Sequence, residues 1–271
     1  MRQRKCQAFF GRCARILLFG KEVEKSLKIT VGGVAFDNLT LSEAVREAMR
    51  GGEACRVYTP NALMLRACSE HPEYTELLNS ASMVLADGSG VLLAAKRQGT
   101  PLRERVAGIS FGEALLGEAA RRGDRVFLLG GQEGVAPRAA ENLQKKYPGL
   151  VICGAYWGYF EKEGEENRRV IGMIRACRPD ILLVCFGFPV QEYWIRENMP
   201  HLPSVRVAAG LGGSLDVWAG DVRRAPVFVQ KRGLEWAWRM AAEPKRFANL
   251  PQIVRFAQDV RRGGAEKDRI T

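Results

Sequence analysis

One carboxylate sits where packing disfavours charge. Asp87 lies in LADGSG (85–90), between the apolar runs SMVLA and VLLAA and directly before Gly88. Two roles are open to it. It can cap the helix expected to begin near Gly88, because Asp is a preferred N-cap. Alternatively, it can act as a general base, taking a proton from a hydroxyl delivered to the tip of a strand. Other polar or glycine positions fall at comparable places. Thr59 and Asn61 follow CRVYT, and Gly130 and Gly131 end RVFLLGG. Gln191 follows DILLVCFG, and Asp216 lies in GLGGSLD after SVRVAAG.

To converge, these residues need a sheet whose carboxyl ends lie side by side. Apolar strand-like runs alternate with amphipathic helical stretches from residue 28 to about 220. That pattern predicts an α/β fold, a Rossmann-like, mostly parallel sheet with helices on both faces. Ligands bind such sheets at the strands' carboxyl ends. ITVGGVAF (29–36) predicts a glycine-centred hairpin, and SMVLAD (82–87) a strand. Thr40 with Glu43, and Ser110 with Glu113, predict two capping boxes. After residue 226 the strand signals stop. One helix is expected over VFVQKRGLEWAWRMAAEP, ending before Pro244, and another over NLPQIVRFAQDVRR, with Leu250, Ile253, Val254 and Ala257 on one face. Three parts follow: a basic extension (1–26), an α/β core (27–222) and a basic helical appendage (223–271).

Several chemistries are disfavoured. Seven scattered cysteines without a Cys-x-x-Cys pair suggest neither disulfide framework nor zinc site. Two histidines, His71 and His201, and no Asp-x-Asp leave no evident metal handle. A bound diphosphate would then need cationic side chains, for which Arg105 and Arg103 in PLRERVAG are candidates. GGQEG (130–134) resembles a phosphate-binding turn, but it is not G-x-G-x-x-G and no acidic residue follows at dinucleotide spacing, so a nicotinamide cofactor is disfavoured. A plain tight turn is the other reading. No cofactor is expected.

Taken together, YTPNALML (58–65), LADGSGVLLAAKRQGTPLRERVAG (85–108), FLLGGQEGV (127–135), FGFPVQEYWI (186–195), GLGGSLDVWAGDVRRAP (210–226) and GLEWAWRMAAEPKRF (233–247) resemble the WecG/TagA/CpsF glycosyltransferases, glycosyltransferase family 26. The resemblance implies inverting transfer of N-acetylmannosamine, or its uronic acid, from a UDP-sugar donor to an amino sugar on a polyprenyl diphosphate, in teichoic acid or surface polysaccharide synthesis. Matched motif by motif, it places the base on Asp87, the T-x-N pair on Thr59 and Asn61, an arginine on Arg105, a glutamine on Gln191 and a uridine-contacting aspartate on Asp216. Single-displacement inversion needs only one base, and a fixed cation can receive the departing diphosphate. Gly88 and Gly90 would leave room beside Asp87 for a bulky sugar.

The charge is concentrated at the ends. Residues 1–26 hold seven Lys/Arg against two Asp/Glu, and residues 223–271 twelve against five, within a net charge of +11. Trp236, Trp238, Phe247 and Phe256 are interspersed with the C-terminal arginines. Basic residues and interfacial aromatics suit an anionic membrane surface. The expectation is a cytoplasmic protein held peripherally at the inner face of the membrane, with no apolar run long enough to span it and no nucleic-acid motif. A nucleic-acid-binding protein and a non-catalytic nucleotide-binding module are the alternatives. The sequence is compatible with a homo-oligomer.

Overall fold

The computed structural model describes residues 27–242, 247–248 and 250–267. The N-terminal extension lies outside the described residues, as do Lys245, Arg246 and the side chains of Lys231, Arg239 and Arg262.

A hairpin of β1 (Lys28–Val31) and β2 (Val34–Asp37) comes first, turning through Gly32 and Gly33, both at positive φ. The central sheet has six strands, all parallel, in the order β4 (Met83–Val84), β3 (Cys55–Tyr58), β8 (Val207–Gly210), β7 (Ile181–Cys185), β5 (Arg125–Gly130) and β6 (Val151–Tyr156). Both faces are covered, so the strands read as continuous apolar runs whose side chains alternate between two cores. Ile181, Leu183 and Cys185 of β7 enter one core, and Leu182 and Val184 the other.

The first core is closed by α1 (Leu41–Ala48), α5 (Gly108–Arg122), α6 (Val135–Lys146) and α9 (Ser214–Ala219). The second is closed by α2 (Ala62–Glu70), α3 (Pro72–Asn79), α4 (Ser89–Arg97), α7 (Gly164–Cys177) and α8 (Val190–Asn198). The chain leaves β3 for α2 on one face, and leaves the neighbouring β8 for α9 on the other. A crevice opens between such diverging connections.

The Thr40–Glu43 capping box forms as expected. The Ser110–Glu113 box does not: α5 begins three residues earlier, at Gly108 with Ala107 as N-cap, and Ser110 and Glu113 are engaged by Arg224 instead. The strand expected over 82–87 pairs only at Met83 and Val84. Beyond them the backbone follows other partners, with Asp87 N–H donating to Pro60 O at 3.1 Å and Val106 N–H to Ala86 O at 3.0 Å.

The single helix expected before Pro244 is two, α10 (Val227–Lys231) and α11 (Glu235–Ala242), broken at Gly233, where φ is +70°. In α12 (Leu250–Lys267) Ile253, Phe256 and Val260 are half-buried, Phe256 and Val260 packing on the second core, whereas Leu250, Val254 and Ala257 are exposed. Among the described residues, no helix is long and apolar enough to cross a membrane. Burial pushes the Cys55 and Cys185 thiols up to about 12, so both are protonated apolar fillers.

Candidate active site

At the β3–β8 crevice a cavity of about 620 Å³ opens, within the size range of small-ligand sites. Asn61, Asp87 and Arg105 line it from the core; Trp236, Met240 and Phe256 close it from the C-terminal helices.

Asp87 is half-buried at the end of the β4 connection. It does not cap the helix that follows it: α4 has Gly88 as N-cap and no side-chain cap bond. Instead its Oδ2 accepts the N–H of Gly108, the first residue of α5, at 3.2 Å. The N-terminal end of a helix accommodates negative charge through its unpaired N–H groups. Thr59 is buried beside the same junction. A Cβ on Gly108 would lie 2.7 Å from Thr59 Oγ1, so the absence of a side chain lets α5 approach the β3 loop. Asn61 caps α2, its Oδ1 accepting the N–H groups of Leu63 at 3.0 Å and Met64 at 3.2 Å.

Arg105 sits 3.3 Å from Glu235 of α11, with both side chains largely withdrawn from solvent. Arg103 points elsewhere: it is exposed and paired with Glu43 at 2.9 Å, so it is no partner for a ligand in this cavity. Gly88 lines the cavity at a φ of +93° that favours glycine. The gap at Gly90 is already filled, since a Cβ there would meet Ala62 at 2.9 Å and Phe256 at 3.4 Å. Its role is to seat α4 against α2 and α12 rather than to make room for a sugar.

The remaining expected residues lie around the crevice but not on this cavity. Gln191 is buried beneath the loops after β7 and β8, its Oε1 accepting both Gly187 N–H at 3.2 Å and Gly212 N–H at 2.9 Å. Its amide donates to Glu192 Oε1 at 2.8 Å. Gln191 therefore fixes two site loops relative to one another. Gly130 and Gly131 stand at the end of β5, where close approach explains them. A Cβ on Gly130 would lie 2.4 Å from Cys185 O, and Gly131 donates to Cys185 O and accepts from Gly158 N–H at 2.8 Å. Asp216, on α9, is near enough to Cys185 to raise its thiol pKa further, a smaller contribution than burial. Gly130 and Gly131 thus stand at the ends of β5 and β7, Asp216 on α9 after β8, and Thr59, Asn61, Asp87 and Arg105 at the β3–β4 end of the sheet.

Three features had no sequence signal strong enough to single them out. Glu192 is fully buried, with one carboxylate oxygen lacking a partner, and its pKa is pushed up to about 7 by burial. Lys162 packs over the Phe160 and Phe186 rings, 4.0 and 4.5 Å from their centroids, while donating to Gly158 O at 2.7 Å; burial lowers its pKa. Glu235 was visible only as part of a basic-aromatic block. His71 pairs with exposed Glu73 at 3.2 Å, outside the cavity. Among the described residues, no group of three or more His, Cys, Asp or Glu side chains is placed to hold a metal ion.

A doubly covered parallel sheet with a carboxylate and an arginine on one cavity at its switch point is the ligand-binding arrangement of open α/β proteins. The chain belongs to the WecG/TagA/CpsF family of glycosyl transferases, whose model matches residues 29–268. It is similar to the N-acetylglucosaminyldiphosphoundecaprenol N-acetyl-beta-D-mannosaminyltransferase of Bacillus spizizenii, 36% identical over 191 residues, 70% of this chain and 72% of the relative. It is also similar to the protein of that name from Staphylococcus aureus, 34% identical over 241 residues, 87% of this chain and 93% of the relative. Membership makes the chain a glycosyltransferase and answers the alternative of a non-catalytic nucleotide-binding module.

Proposed function

We propose that the chain transfers N-acetylmannosamine, its uronic acid or a related hexose from a UDP-sugar to an amino sugar on a polyprenyl diphosphate, with inversion and without a metal. The observation that carries this reading is that Asp87 and Arg105 face one cavity whose other walls are largely apolar. The names of the two relatives supply the acceptor and the sugar.

In this reading Asp87 takes the proton from the acceptor hydroxyl as that oxygen attacks the anomeric carbon. The Gly108 N–H and the start of α5 hold the carboxylate in place, so it meets the hydroxyl without rotating away. Arg105 supplies positive charge to the departing diphosphate, a term of the kind that preorganised donors contribute. Asp216 on α9 and the glycine turn after β5 would meet the uridine and its phosphates as these extend along the carboxyl ends of the strands. Gln191 contributes by holding the loops between the two sides. General-base assistance of this kind is worth roughly 10²–10⁴ in rate.

Exposed apolar side chains recur along the C-terminal segment, which also carries exposed Arg232, Arg255 and Arg261. Val227 and Phe228 are 64% and 61% exposed, and Leu234, Trp236, Phe247 and Val254 are also exposed. Such a surface suits peripheral docking on an anionic leaflet, which would bring the cavity to a lipid-borne acceptor.

The direct test is transfer from a panel of UDP-sugars to a synthetic lipid-diphosphate N-acetylglucosamine, with and without EDTA. Transfer from UDP-N-acetylmannosamine or a close relative, unchanged by EDTA, is expected. No transfer from any UDP-sugar rejects the donor class, and a requirement for added magnesium rejects the metal-free chemistry.

A further inference from the structure

Glu235 is a carboxylate on the cavity wall that the transfer reading does not use. Its Oε2 lies 3.3 Å from Arg105 Nη1 and its Oε1 lies 3.9 Å from Arg224 Nε. The three side chains are 16%, 19% and 22% exposed for Glu235, Arg105 and Arg224, so these contacts are only partly screened by water.

Arg224 is held rigidly from behind. Its Nη1 donates to Glu113 Oε2 at 2.8 Å and its Nη2 to Ser110 Oγ at 2.6 Å, both on the first turns of α5. Its buried Nε makes no hydrogen bond. Two guanidiniums from separate parts of the chain therefore converge on one carboxylate, at the edge of the cavity that also holds Asp87. Planar guanidiniums bind carboxylate and phosphate through the same fork geometry, and a phosphate brings more negative charge.

Glu235 is also coupled to the loop of the candidate base. Gly233, two residues before it, accepts a hydrogen bond from Ser89 Oγ at 3.0 Å, and Ser89 is two residues beyond Asp87. The positive φ of Gly233 marks a point where the path of the chain can change at low cost.

We propose that Arg105 and Arg224 together form the subsite for the donor's diphosphate, and that Glu235 is a built-in competitor whose carboxylate a phosphate must displace, moving α11. The proposal rests on reading this cavity as the transfer site, and it adds Arg224 as a diphosphate-binding residue and Glu235 as a latch.

The experiment is calorimetric titration of UDP, and separately of inorganic pyrophosphate, into the full-length wild type, Glu235→Gln and Arg224→Gln, with thermal melts of each. Glu235→Gln should bind both ligands about fivefold more tightly, the size of a partly screened ion pair. Arg224→Gln should bind both at least fivefold more weakly. Equal or weaker binding by a folded Glu235→Gln overturns the latch. Unchanged binding by Arg224→Gln overturns its place in the subsite. Pyrophosphate responses as expected, without UDP binding, would uphold the subsite while rejecting the nucleotide donor. If Glu235→Gln does not fold, the readout is the emission of Trp236, which adjoins the latch, taken as wild type minus Trp236→Phe. A shift at saturating ligand is expected, and an unchanged spectrum overturns the displacement.

Discussion

Asp87, on the cavity wall, and Gly108 are joined by a hydrogen bond, the backbone N–H of Gly108 donating to Asp87 Oδ2 at 3.2 Å. The bond ties the carboxylate to the first residue of α5 rather than to α4, the helix that follows it. This makes Asp87→Asn an informative substitution, because the amide oxygen can still accept the Gly108 N–H while the basic oxygen is lost. Donor binding should stay within about twofold of wild type, and transfer should fall by roughly 10²–10⁴. Steady-state kinetics beside UDP calorimetry check both halves. Wild-type turnover in Asp87→Asn removes Asp87 as the base.

Gly108 itself gives the second prediction. Alanine is the better helix former by about 1 kcal/mol, so on propensity alone Gly108→Ala would stabilise α5. The added Cβ, however, would lie 2.7 Å from Thr59 Oγ1 and 3.4 Å from Thr59 Cβ. Thr59 is buried and cannot swing clear, so steric conflict decides the sign. We expect a lower melting temperature and at least tenfold lower transfer. The double substitution Thr59→Ala with Gly108→Ala should recover more stability than the two singles predict, a non-additivity that a double-mutant cycle measures.

The sheet was legible because doubly buried strands are apolar throughout, and DILLVCFG and RVFLLGG admit little else. The short β4 was not, since periodicity in SMVLAD says nothing of where each backbone group finds its partner, and Ala86 and Asp87 bond to Val106 and Pro60. The Ser110–Glu113 box failed for a related reason. A capping motif competes with tertiary partners, and Arg224, more than a hundred residues away, takes both side chains. Asp87, Asn61 and Arg105 could be read as candidates from strand-end position and family likeness, and the fold sets all three on one cavity. Arg103 lies two residues from Arg105 but pairs with Glu43, and only the fold separates the two. Glu192 had no signal, because full burial of a carboxylate beside Gln191 is a property of packing.

Glu192 should make stability depend on pH in a definite direction. Burial raises its pKa from the usual carboxylate value to about 7, with the hydrogen bond from Gln191 acting the other way. The native state therefore holds a proton that the unfolded state releases. The stabilisation is fully present below about pH 4.5 and is lost as pH rises through about 7, an effect on the order of 3 kcal/mol. Carboxylates with lowered pKa, such as Glu118 beside Arg121 and Arg122, act at more acid pH and with the opposite sign. Glu192→Gln keeps an oxygen to accept the Gln191 amide, and should abolish the fall in stability between pH 5 and pH 8. Urea unfolding of both proteins at those two pH values is the measurement, and an equal fall in both assigns the effect elsewhere.

The exposed apolar pair on α10 offers a test of docking that leaves the cavity intact. Val227 and Phe228 stand well out into solvent and do not line the cavity. Deleting residues 223–271 would also remove Arg224, Trp236 and Phe256 from the site, so loss of vesicle binding there would be hard to separate from loss of the site itself. Val227→Ser with Phe228→Ser removes apolar area alone. Inserting a side chain of this kind is worth about 1.5–3 kcal/mol when fully buried, so partial insertion of two should account for about a tenfold change in partition. The double variant should bind anionic phospholipid vesicles about tenfold more weakly by sedimentation, while UDP binding and transfer to a short-chain, water-soluble acceptor stay at wild-type levels. Unchanged sedimentation would show that α10 does not meet the bilayer, and would move the docking surface to the arginines of α12.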